Sequence, residues 1–187
     1  MGQLKQLLAY RGTTLLQHSI DQAQNAEFEP VIVVVGSESQ TVRESLAGQV
    51  IEIVENARWE SGMGSSIAAG MRTLLESDDF PSSIAILLAD QPRVLAIHLA
   101  AMRQMLSDPN VSIVAAEYGG ALGVPAIFKP EWFDALSSLA PEAGARGIIR
   151  SAGQKLAPFP LPEAAVDIDT PEDFRNFTSE VEPHRRR

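Results

Sequence analysis

Apolar residues along this chain fall into two kinds of run that take turns. Leu15, Leu16, Ile20 and Ala23 recur at helical spacing behind Thr13-Thr14, which predicts a helix with a threonine cap. Pro30 then precedes Val31-Ile32-Val33-Val34-Val35, a β-branched run closed by Gly36 that reads as a buried strand. The alternation continues with a polar helix near 38–47, a strand over 50–54, a helix near 66–76 and a strand over 84–88. Beyond it come a helix near 94–106, strands over 111–115 and 124–128, and short helices around 131–139 and 144–151. A Pro-rich strand over 155–161 and a helix opened by Thr170-Pro171-Glu172-Asp173 complete the pattern.

Helices between strands imply right-handed crossovers and a mostly parallel sheet. The runs at 31–35 and 84–88 are apolar at every position, as strands covered by helices on both faces must be. The predicted class is therefore α/β, with three layers, helix on sheet on helix. A length of 187 residues suits one such domain, spanning 1–178, followed by a flexible tail over 179–187 that ends in three arginines.

Charge narrows the partners. With 15 Lys and Arg against 24 Asp and Glu, the net charge is −9. A broad nucleic-acid or anionic-membrane surface is not expected, so a polyanion must be met locally by backbone N–H groups, a few placed cations and a divalent metal. The absence of cysteine excludes disulfides, thiolate metal sites and a Cys nucleophile. No run approaches about 18 consecutive apolar residues and no secretory leader is legible, which predicts a cytoplasmic protein.

Candidate chemistry gathers in three places. Asp90 follows the 84–88 strand directly and precedes Gln91-Pro92, so its carboxylate stands at the carboxyl end of a central strand, where open α/β sheets hold their ligands. A hard oxygen there suits Mg²⁺, with Mn²⁺ as the alternative, although Asp90 reads equally as a cap for the helix near Val94. Asp167 and Asp169 alternate in an extended stretch and share one face, whereas Thr170 to Asp173 read as a helix start. The segment from Asn56 to Ser66, with Gly62, Gly64, Ser65 and Ser66, links a strand to a helix and offers N–H groups to an anion or a sugar hydroxyl. It matches neither the dinucleotide fingerprint nor the nucleophile elbow. His18, His98 and His184 are scattered without ligand spacing, and Trp59 and Trp132 read as core or pocket-wall residues.

These residues, with Gly2, Lys5-Gln6-Leu7-Leu8, Arg11-Gly12-Thr13-Thr14, Leu88-Ala89-Asp90-Gln91-Pro92, Gly144-Ala145-Arg146 and Asp167-Ile168-Asp169, stand in one order that resembles the molybdenum cofactor cytidylyltransferases, within the Rossmann-like nucleotidyltransferase fold. The resemblance runs from Met1 to about Phe174. It implies transfer of CMP from CTP to the terminal phosphate of molybdopterin carrying molybdenum, with pyrophosphate released and the product passed to a recipient molybdoenzyme or its chaperone. It implies Asp90 and Asp169 as Mg²⁺ ligands, and Lys5 as a catalytic cation on the triphosphate. It seats the nucleotide on Gly2, Lys5, Asn56, Gly62, Ser65 and Ser66, and puts Gly123, Pro125 and Arg146 on the acceptor side.

Members of that family begin with a hydrophobic strand and a Gly-rich loop, of which Met1-Gly2 would be the last two residues. The expectation is therefore a chain that starts late and a sheet with a vacancy or an exposed edge beside the strand at Val31. Two departures bear on the acceptor: Val124 stands where the family often has His, and Pro141-Glu142-Ala143 replaces the usual Gly-Asp. A sibling using GTP or another phosphorylated acceptor, and a catalytically inactive nucleotide-binding or cofactor-delivery module, remain the alternatives.

Overall fold

A computed structural model describes residues 4–77, 80–166, 168, 173–175 and 177. Gly2, Asp167, Asp169, the Thr170-Pro171-Glu172 helix start and the 179–187 tail lie outside the described residues.

After a 3₁₀ turn at Lys5–Leu7, the chain forms a small hairpin, β1 (Ala9–Tyr10) and β2 (Thr13–Thr14), then α1 (Leu15–Asn25). Thr14 is the cap of α1, its hydroxyl accepting from the Gln17 N–H at 3.1 Å. The hairpin was not foreseen. Arg11 and Gly12 both take positive φ, 50° and 87°, the combination a two-residue turn between twisted strands requires.

Next come β3 (Ile32–Val35), α2 (Ser39–Ser45), β4 (Glu52–Glu55) and α3 (Met63–Leu75). β3 and β4 pair in parallel. Val33 and Val35 pack with Leu16 and Ile20 of α1 and Val42 of α2, whereas Val34 faces Gly70 of α3. Because neighbours on a strand point to opposite faces, α1 and α2 cover one side of this pair and α3 the other.

The second group is β5 (Ile84–Ile86), α4 (Ala96–Met105), β6 (Ile113–Tyr118), β7 (Ala121–Phe128), α5 (Phe133–Ser137), α6 (Arg146–Ser151) and β8 (Leu156–Pro160), in spatial order β5-β7-β6-β8. Ile113 and Ala115 join Met71, Phe133 and Ile149 in one core, while Val114 and Ile127 meet Met102 and Leu106 in another. This sheet is thereby also sandwiched between helices. β5, β6 and β8 share a direction and β7 opposes them, because Gly119 and Gly120, at φ 58° and 74°, fold β6 back on itself. The prolines of β8 are tolerated because β8 is the sheet's edge.

β5 is shorter than the 84–88 expectation. Its ladder with β7 stops at Ile86–Ala126, where β7 bulges at Val124-Pro125 and Pro125 has no N–H to donate. The Asp90 cap reading is corrected: α4 starts later than 94, and the Leu95 N–H goes to His98 Nδ1 at 3.2 Å, not to Asp90.

Among the described residues, β3 pairs with β4 alone and β5 with β7 alone. Among the described residues no strand lies between β3 and β5. No helix among the described residues is long and apolar enough to cross a membrane.

Candidate active site

Asp90 stands four residues beyond the last residue of β5, and Lys5 reaches it from the 3₁₀ turn that precedes the hairpin. Lys5 Nζ lies 2.6 Å from Asp90 Oδ2, a charge-assisted pair between residues 85 positions apart. Leu4 and Leu7 anchor that turn by packing on the Leu16–Val33 cluster. Asp90 Oδ1 is buried and, among the described residues, has no hydrogen-bond partner. The next residue repeats the pattern. Gln91 donates through Nε2 to the Ala164 carbonyl at 2.9 Å and to the Tyr118 hydroxyl at 3.4 Å, and its Oε1 is buried and unpartnered among the described residues.

A buried acceptor left unmade costs about 1–3 kcal/mol, so two in succession at a sheet's carboxyl edge mark a place built to receive something. A divalent cation fits Asp90 Oδ1 in charge and hardness. Among the described residues no group of three His, Cys, Asp or Glu surrounds that oxygen. The Ile168 N–H donates to the Asp90 carbonyl at 3.1 Å, so the residue between Asp167 and Asp169 is tied to the backbone of Asp90. A pocket of about 210 Å³ opens here, lined by Lys5, Asp90, Gly36 and Ser37.

Gly36 connects this pocket to the 56–66 loop. A side chain at Gly36 would run into Trp59, at 2.6 Å from its Cβ, so the indole wedges against the carboxyl end of β3. Asn56, buried at the end of β4, donates through Nδ2 to Ser65 Oγ at 2.7 Å and Ser66 Oγ at 3.0 Å, and accepts the Arg58 N–H at 3.0 Å. Ser65 is buried and turns its hydroxyl to the Gly62 and Arg58 carbonyls, at 2.7 and 3.0 Å. These bonds close the loop on itself. Ser66 is only half-buried and lines the larger cavity. Gly62 and Gly64 have a packing role as well: Gly62 takes φ 121°, and a Cβ on Gly64 would meet the carbonyls of Ala140 and Ala143.

On the expected acceptor side, Gly123, Tyr118 and Arg146 converge. The position a Gly123 Cβ would take lies 2.9 Å from the Tyr118 hydroxyl and 3.6 Å from Arg146 Nε. Pro125 is buried in the β7 bulge and Arg146 opens α6 with its side chain exposed. Tyr118, which donates to the Val124 carbonyl at 2.9 Å, and Gln91 were not singled out in the sequence as site residues. Their partners lie on other elements, and the only sequence signal was that Gln91 sits next to Asp90.

Fold and site together define a class: a helix-covered α/β domain with a carboxylate and a cation paired at the carboxyl edge of its sheet, beside a glycine-rich strand-to-helix loop. The chain belongs to the MobA-like NTP transferase domain family, whose sequence pattern matches residues 1–156. It is 28% identical over 186 residues to the purine catabolism protein PucB of Bacillus subtilis, covering 93% of this chain and 87% of that one. Identity is 30% over 155 residues to the nicotine blue oxidoreductase of Paenarthrobacter nicotinovorans, covering 78% and 72%. The crystal structure of Rv0371c from Mycobacterium tuberculosis, a complex with manganese, superimposes with a TM-score of 0.72 at 28% identity, over 94% of this chain and 91% of that one.

Proposed function

We propose that this nucleotidyltransferase moves CMP from CTP to the terminal phosphate of molybdopterin carrying molybdenum, in the cytoplasm and with Mg²⁺. An oxygen of the acceptor phosphate attacks the α-phosphorus of CTP in line. The bond to the bridging oxygen breaks, and its electron pair leaves on pyrophosphate, giving molybdopterin cytosine dinucleotide. No protein nucleophile is needed. The observation that carries this reading is the buried, unpartnered Oδ1 of Asp90 beside the Lys5 ammonium.

Asp90 would hold the cation, and Asp169, next in sequence to the residue bonded to the Asp90 backbone, would be its second ligand. Bound there, Mg²⁺ or Mn²⁺ supplies charge neutralisation for phosphate oxygens. Lys5 would share its charge between Asp90 and the leaving pyrophosphate. Asn56 and Ser65 hold the 56–66 loop in shape, and Gly2, Gly62 and Ser66 complete the nucleotide side. Gly123, Pro125 and Arg146 flank the acceptor, with Tyr118 and Gln91 as the polar groups behind them. The product would go to a molybdoenzyme or its chaperone; neither nucleic acid nor membrane is a partner.

Pyrophosphate release with Mg²⁺ and molybdenum-loaded molybdopterin, compared between CTP and GTP, tests the reading. CTP-selective release is expected. A preference for GTP would move the chain to a guanylyl-transferring sibling, and CTP binding without release would make it a nucleotide-binding module.

A further inference from the structure

We propose that Tyr118 is a positioning residue, the middle member of a hydrogen-bonded strut that fixes the hairpin of β6 and β7 against the turn carrying Asp90. The strut runs from Gln91 through the Tyr118 hydroxyl to the Val124 carbonyl, over distances of 3.4 and 2.9 Å. Its role rests on the proposed reading, in which Gly123 and Arg146 flank the acceptor and Asp90 holds the cation.

Each link of the strut has a fixed direction. The Ala164 carbonyl, 2.9 Å from Gln91 Nε2, can only accept, so the amide must turn its NH₂ end that way. The same end meets Tyr118, whose oxygen accepts from it and whose proton then goes to Val124. Gln91 is 4% exposed, so water competes little for its amide. The Tyr118 ring packs with Val94, Leu161 and Ala164 in one apolar cluster, which holds the hydroxyl between its two partners.

The far end of the strut is the β7 bulge. The register between β6 and β7 passes from Ala115–Ala126 to Ala116–Gly123 and skips Val124 and Pro125, while the ladder with β5 ends at Ile86–Ala126. A carbonyl that both ladders skip needs another donor, and the Tyr118 hydroxyl supplies one. β5 and β6 are both antiparallel to β7, so the end of β6 stands at the same sheet edge as Asp90. The bulge also sets the place of Gly123, where a Cβ would stand 2.9 Å from the Tyr118 hydroxyl and 3.6 Å from Arg146 Nε. Gly123 thus leaves room for the hydroxyl, and the strut fixes the separation between acceptor side and cation side on which in-line attack depends.

The test compares the full chain with Tyr118→Phe, Gly123→Ala and the double variant. Tyr118→Phe keeps the ring and removes the hydroxyl. In pyrophosphate release with Mg²⁺, CTP and molybdenum-loaded molybdopterin it should lower kcat at least about tenfold and leave KM for CTP within about twofold, because alignment is lost and the nucleotide seat is not. Gly123→Ala drives a methyl against the hydroxyl and should lower kcat similarly. Added to Tyr118→Phe it should cost no more than about twofold, since the ring carbon behind the hydroxyl is 3.5 Å away. Losses that multiply in the double variant, or a KM for CTP that rises as kcat falls, would mean general damage and overturn the strut. Amide hydrogen exchange of the free chain needs no substrate: Tyr118→Phe should speed it in both 90–94 and 119–124. Faster exchange in 119–124 alone, or in neither segment, overturns the strut whatever the acceptor. Absence of release by the parent chain overturns the functional reading, and the positioning role with it, even where exchange changes in both segments.

Discussion

At the scale of single residues, the proposed site turns on Asp90. Its position beyond an all-apolar strand and before Gln91-Pro92 was legible because strand ends and prolines act locally. What it does there was not, since Asp90 served as well on paper as a helix cap. The tertiary structure removes that reading: Leu95 is the N-cap of α4 with its N–H on His98, while Asp90 has Lys5 on one oxygen and, among the described residues, no partner on the other. Asp90→Asn preserves shape and removes the charge. Because even residues that merely support a metal ligand cost about 10–100-fold, this change is expected to lower kcat/KM by at least about a hundredfold in the pyrophosphate-release assay. Turnover within a few fold of the parent would take Asp90 out of the reaction. Gln91 stayed hidden for a simple reason: its partners Tyr118 and Ala164 are 27 and 73 positions away, and no local pattern encodes contacts of that range.

At the scale of elements, the helix and strand periods in the sequence located every described helix of the three layers and six strands, with ends off by a few residues. The misses were turns. Arg11-Gly12 and Gly119-Gly120 each make a hairpin through two positive-φ residues, and the second reverses β7 within a sheet read as mostly parallel. The glycines of the 56–66 loop likewise have a packing cause, because α3 starts so near the 140–143 segment that no side chain fits at Gly64. Gly64→Ala is therefore expected to destabilise the protein by about 1–3 kcal/mol through overpacking. Gly147→Ala, in α6 with nothing within 4 Å of the new methyl, is expected to be neutral or to stabilise by up to about 1 kcal/mol. Urea midpoints of the two variants measure the contrast. Similar midpoints would mean that the loop yields around Gly64.

At the scale of the whole molecule, α1 packs on β3 and is also bonded to the segment that runs from β5 into α4. His18 donates from Nε2 to the Pro92 carbonyl at 3.1 Å, and Gln22 Oε1 accepts the Ala96 N–H at 2.9 Å. Burial pulls the His18 pKa below its ordinary value of 6.5, outweighing the hydrogen bond to Pro92, which acts the other way. The unfolded chain therefore takes up this proton first as the solution is acidified. The stability His18 permits is complete above pH 6.5 and is lost as the pH falls through its depressed folded value. Urea unfolding at stepped pH should show that decline, and His18→Gln should flatten it; an unchanged slope would remove His18 as its source.

The sequence by itself determined the class of fold, the layering and the place of Asp90, because those follow from short-range periodicity and from the backbone preferences of proline and β-branched residues. Which oxygen of Asp90 is left unpartnered among the described residues, and which residues stand behind it, were decided only by tertiary structure. Those facts depend on contacts between residues far apart in the chain, which carry no local signature.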